Sequence, residues 1–113
     1  MRTGIELIAD ERKRQIEIEG WTAEHDDQHT EGELANAACA YAMTNDMIDF
    51  IGDNWGHDMH LHFWPFELNW YKKNFHIDED EPRIRDLVKA GAMIAAEIDR
   101  LIRVQNHECN SKK

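Results

Sequence analysis

Cysteine, proline and glycine are all scarce in this chain, at two, two and six of 113 residues. Two thiols cannot build a disulfide framework. Cys39 sits in the run Ala37-Ala38-Cys39-Ala40 and reads as a small buried hydrophobe, while Cys109 falls in a polar tail. No apolar run approaches the ~20 residues that span a bilayer, and the opening residues lack the charged-then-apolar order of a signal peptide. The expectation is a cytoplasmic protein with no membrane contact. A glycine-rich phosphate loop, a nucleophile elbow and an HExxH helix are missing as well. Basic residues number 13 against 23 acidic ones, a net charge of -10. Such a balance disfavours direct binding to duplex nucleic acid. It suits a basic protein surface or a ligand that arrives with divalent cations, and a DNA-mimicking inhibitor has the same composition.

What is present is a helical pattern. With 42% hydrophobic residues over 113 positions, one domain covering 1–113 is expected, burying roughly two thirds of its unfolded surface. From Ile5 to about Glu19 no Gly or Pro interrupts the chain. Ile5, Ile8, Gln15 and Ile16 fall near one helical face, flanked by Leu7 and Ile18, until Gly20 stops the helix. Lys13 with Glu17 and Arg14 with Asp10 have i,i+4 spacing, which explains their charge as solvated pairing. Thr30-Glu31-Gly32-Glu33 has capping-box spacing and predicts a second helix from Thr30, with Leu34, Ala37, Ala38 and Tyr41 as its apolar stripe.

Periodicity weakens between 44 and 81, although Met47, Ile48, Phe50 and Ile51 suit a continuation of helix two or a helix after it. Trp55, Phe63, Trp64, Phe66, Trp70, Tyr71 and Phe75 carry most of the aromatic surface there. A disordered linker would not hold so much. An ordered irregular insertion is predicted, with a short helix near Pro65 to Tyr71, packing over the core or against another subunit. Asp78-Glu79-Asp80-Glu81-Pro82 places acids and a proline where a helix begins. The third main helix follows. Ile84, Leu87, Val88, Gly91, Ile94, Ala95, Ile98, Leu101 and Ile102 form its stripe, ending near Gln105 before a polar tail over 106–113. The fold class expected is all-α, three main helices with an aromatic-rich insertion. Alanine-faced helices and the aromatic belt exceed what three helices cover, so a dimer is expected.

Candidate chemistry gathers in the turn after Gly20. His25, Asp26, Asp27 and His29 combine imidazole and carboxylate, a donor set that suits several divalent metals. The alternative is a turn in which an aspartate caps local amides and His29 stacks on Trp21. Glu33 either faces a ligand or serves only as a cap. Asp86, Lys89, Met93 and Glu97 share a stripe away from the apolar seam. Asp86 and Glu97 are about 16 Å apart along the axis, too far to hold one ion together. His57, His60 and His62 are a second possible metal segment, without cysteines to accompany them. The aromatic belt either stacks a base or packs as core.

The order of motifs, ERKRQ, GWTAEHDD, GELANAA and DLVKAGAMIAAEIDRL, resembles small phage- and prophage-encoded proteins of largely unknown function, over most of the chain outside 44–80. More distantly it looks like the all-α nucleoside triphosphate pyrophosphohydrolases of the MazG type. In that family, acids at EExxE and ExxD spacings on two helices hold magnesium against a triphosphate while water attacks. Carried over, the first motif falls near Gly32-Glu33 and Asn36, the second near Asp86 and Lys89, and only Glu33 and Asp86 retain a carboxylate.

The resemblance implies a magnesium-dependent nucleotide pyrophosphohydrolase with Glu33 and Asp86 catalytic. Asp26, Asp27, Glu33 and Asp86 would hold metal, and Arg14, Trp21, His25, His29 and Lys89 would contact the nucleotide. Since Asn36 and Lys89 remove two acids from the cage, the alternative is a non-catalytic phage accessory protein. Such a protein would bind a nucleotide signal or a host protein through its acidic surface.

Overall fold

The computed structural model describes residues 2–68, 71, 73 and 80–111, with the backbone alone for 80 and 108–111. It is all-α, with no strand among the described residues. The helices are α1 (Gly4–Glu17), α2 (Ala23–Asp27), α3 (Glu33–Ala42), α4 (Asn45–Trp55) and α5 (Asp80–Ser111), with a 3₁₀ turn at Met59–Phe63. No helix among the described residues is long and apolar enough to cross a membrane. The last helix is the spine: α3 packs along one of its sides, α1 along another, and α2 touches it more lightly.

Threonine starts three of these helices. Thr3 forms a full capping box with Glu6, and Thr22 and Thr44 accept from the backbone N–H groups of His25 and Met47. Thr30 does not. Helix α3 begins at Glu33 after Gly32, whose φ of 83° places it in the left-handed region and which makes no side-chain cap. The expected box fails because the Glu33 carboxylate is engaged elsewhere, by the Glu31 amide at 2.5 Å and by His29 at 3.1 Å.

The insertion is more regular than its composition suggests. Helix α4 is separate, opened by Thr44 and closed at Gly56 (φ 123°). The helical turn in the aromatic stretch is at Met59–Phe63, earlier than expected; the expected segment near Pro65 to Tyr71 lies partly outside the described residues. Trp64, Phe66 and Tyr71 pack on Tyr41 and the alanines of α3, as a covering layer should. Trp70 and Phe75 lie outside the described residues.

At its far end α5 runs to Ser111, through most of the segment expected as a tail. Its start at Asp80 makes Pro82 the third helical residue rather than the first.

Which faces are buried differs from the pattern in two places. On α1, Ile5 and Ile16 are exposed while Gln15 is buried. On α5, the aliphatic stripe is half exposed, and the stripe with Asp86, Ala90, Met93, Ala96 and Arg100 faces the core. On α5 the reason is electrostatic: inward Asp86 meets Lys73 of the aromatic segment and inward Arg100 meets Glu97 one turn back on the same helix, so their burial is compensated. Alanine at 90, 92 and 96 then lets α3 and α1 approach closely. Only α3 keeps its expected stripe, with Leu34, Ala37, Ala38 and Tyr41 buried and Cys39 facing out rather than in.

Candidate functional site

Helix α3 has a polar cluster at each end. At its N-terminal end, Asp26 of α2 is fully buried and accepts from the Arg12 guanidinium at 2.6 Å and pairs with His25 Nδ1 at 3.0 Å. Neither aspartate caps the local amides, since Thr22 does that. Asp27 instead accepts from Arg103 of α5 at 2.7 Å, near the surface. The rings continue the cluster: Trp21 stacks on His25 at 5.8 Å, His25 meets His29 edge-on at 4.9 Å, and His29 meets Phe66 at 5.1 Å. From Phe66 the ladder passes to Trp64 and then to Tyr41 and Tyr71. Burial works against the Glu33 carboxylate, but the Glu33 and Glu31 amides and His29 hold its pKa below the ordinary value.

The other end has no glycine cap. A helix leaves its last four carbonyls unsatisfied, and here side chains distant in sequence take them. The Tyr71 hydroxyl donates to Ala40 at 2.7 Å, Lys73 Nζ to Tyr41 at 3.0 Å and Met43 at 2.9 Å, and Arg83 to Ala42 at 2.6 Å. Cations suit this pole of the helix dipole. Lys73 reaches Asp86 at 3.3 Å, with both side chains fully buried. Burial pushes the Lys73 pKa down while the Asp86 charge pushes it back up. Lys89 lies 5.3 Å from the Tyr41 ring centre, and burial lowers its pKa too.

Glu33 and Asp86 therefore do not meet. The Asp86 carboxylate shares Lys73 with the Tyr41 carbonyl, eight residues along α3 from Glu33, or about 12 Å. Asp26 and Asp27 belong with the Glu33 end and face different arginines. Among the described residues no three His, Cys, Asp or Glu side chains gather closely enough to hold a metal ion, and that includes His57, His60 and His62. The donor set does not fit a magnesium cage, because the two most buried acids already have cationic partners at bonding distance.

Arg14, expected at a phosphate and spaced for Asp10, clamps Glu11 at 2.8 and 2.9 Å and Glu19 at 2.8 Å. Asp10 pairs with Arg2 instead.

The cations at the centre of the two clusters, Arg12 and Lys73, were not singled out by the sequence. Arg12 and Gln15 sat in view within the ERKRQ run, and their three-residue spacing puts both on the side of α1 that faces inward. Nothing local marks Lys73, whose partners are 13 to 32 residues away.

Compared with protein-family models, with characterised proteins and with solved structures, the chain matches none.

Proposed function

We propose that this is a non-catalytic accessory protein of the phage type, acting in the host cytoplasm as a homodimer. It would dock a basic partner protein on the acidic outer face of α4. On this reading it has the MazG-like helical plan without that family's metal cage.

The observation that carries the reading is where uncommitted acid is found. Asp46, Asp49 and Asp53 fall on one face of α4, are exposed, and have no ion-pair partner among the described residues. Phe50 (56% exposed) and Trp55 (61%) stand on the same helix, in edge contact at 5.9 Å. Acids speed encounter with a basic surface and select against acidic ones, and aromatics supply binding energy once in contact. The interior acids, in contrast, are spent on arginine and lysine.

Magnesium-dependent cleavage of a nucleoside triphosphate is the competing proposal, and it requires the Lys73–Asp86 and Arg12–Asp26 pairs to open. Incubation with the common ribo- and deoxyribonucleoside triphosphates and magnesium tests it. No pyrophosphate is expected, and release that scales with protein and disappears in Asp86→Asn would overturn the accessory reading. In parallel, the immobilised chain should retain a defined set of basic proteins from bacterial extract. About 0.5 M salt should remove them, and so should the triple change Asp46→Asn, Asp49→Asn, Asp53→Asn. Retention indifferent to both counts against α4 as the docking face.

A further inference from the structure

Helix α5 turns its longest aliphatic stripe away from its own core. Ile84, Leu87, Ile94, Ile98 and Leu101 are each 44–51% exposed. With Gly91 they recur at steps of three, four, three, four and three, the heptad spacing of a helix–helix seam. That series reads the same from either end. Reversed about the midpoint between Ala92 and Met93, Ile84 falls opposite Leu101, Leu87 opposite Ile98, and Gly91 opposite Ile94.

Gly91 does not break the stripe. A Cβ there would stand 2.5 Å from Ile8 Cδ1, so the absent side chain lets an isoleucine of α1 fill the position. Beside Ile84 the seam opens into a hollow of about 500 Å³ lined by Leu7, Ile84 and Val88, with Glu81 and Arg85 at its charged edge.

We propose that a second copy of this chain covers this face, its α5 antiparallel to the first across a twofold axis near Ala92 and Met93. A twofold contact needs a patch that complements itself, and the reversible spacing provides one. The stripe, with half-exposed Ile102 beside it, shows on the order of 500 Å² per copy, so pairing buries about 1,000 Å², the lower bound for a specific interface.

Net charge opposes pairing, since two chains of -10 repel, so the contact rests on the five aliphatic positions, which carry no charge.

This deepens the homodimer part of the reading above. The seam variants leave α4 intact, so loss of pairing and loss of partner docking are read separately.

Sedimentation equilibrium of the full chain should give about twice the 13.3 kDa chain mass. Ile94→Glu and Ile98→Glu, both at exposed positions, should each give the single-chain mass with unchanged helical circular dichroism. For orientation, Leu87→Cys and Ile98→Cys are made separately in a Cys39→Ser, Cys109→Ser background. Mixed, they should cross-link efficiently; alone, neither should. A single-chain mass at about 100 µM, where even a ~10 µM pair is mostly associated, overturns the proposal. Pairing indifferent to both glutamates overturns it too, as does self-cross-linking of each cysteine variant alone, the mark of a parallel pair.

Discussion

Lys73 and Asp86 form an ion pair at 3.3 Å with both side chains excluded from solvent, and the same ammonium caps the Tyr41 and Met43 carbonyls. One lysine thereby joins the aromatic segment, the end of α3 and the start of α5. Breaking a buried pair strands the remaining charge, which costs about 3–5 kcal/mol. Lys73→Met should lower unfolding free energy in urea by that amount. Lys73→Met combined with Asp86→Leu should recover part of it, since no lone charge is then left behind.

Adjacent aspartates carry opposite expectations. Asp26 is fully buried against Arg12, whereas the Asp27–Arg103 pair is exposed by 47% and 34%. Asp26→Ala should cost about 3 kcal/mol or more, and Asp27→Ala less than about 1 kcal/mol. Equal losses in denaturant titrations would mean that burial does not separate them.

At Gly91 the helix gives up intrinsic propensity for a close approach. Alanine would gain about 1 kcal/mol by propensity alone, but its Cβ would lie 2.5 Å from Ile8 Cδ1 and 2.9 Å from Cγ1. Crowding of this kind costs about 1–3 kcal/mol. Gly91→Ala should therefore lower Tm in the wild-type background and lower it less beside Ile8→Val, which lacks Cδ1. The double-mutant cycle reads the coupling directly.

Acid should weaken the junction before α3. The Glu33 pKa is held below its ordinary 4.5 in the folded state. Its ionised form therefore adds stability that is fully present above pH 4.5 and is lost as pH falls through the lowered folded value. Measured from pH 7 downward, the stability gap between wild type and Glu33→Gln should be constant to about 4.5 and then close. A gap that widens on acidification would show that the carboxylate is not stabilised in its ionised form.

Two identical spacings show where local reading stops. Thr3-x-x-Glu6 and Thr30-x-x-Glu33 are equivalent as sequence, yet only the first is a capping box. Glu6 has its own cap within reach, while Glu33 is claimed by His29 and the Glu31 amide. The candidate site fared likewise. His25, Asp26, His29 and Trp21 do converge, being close in sequence, but the cation that pairs with Asp26 comes from Arg12 on α1, and the one that pairs with neighbouring Asp27 from Arg103 near the far end of α5. Asp86 went to a different cluster altogether, through Lys73.

From its own residues the chain determined an all-α fold, the position of α1, the course of α5 and the buried stripe of α3, because side-chain periodicity and helix-start residues act within a turn or two. Which side of α5 faces inward was decided only in three dimensions. A helix with one aliphatic and one charged stripe can bury either, and the choice falls to whichever stripe finds complementary partners across the fold. Here Lys73 meets Asp86 from the aromatic segment, Glu97 lies 2.6 Å from Arg100 on the helix itself, and small alanines between them let the neighbouring helices close in.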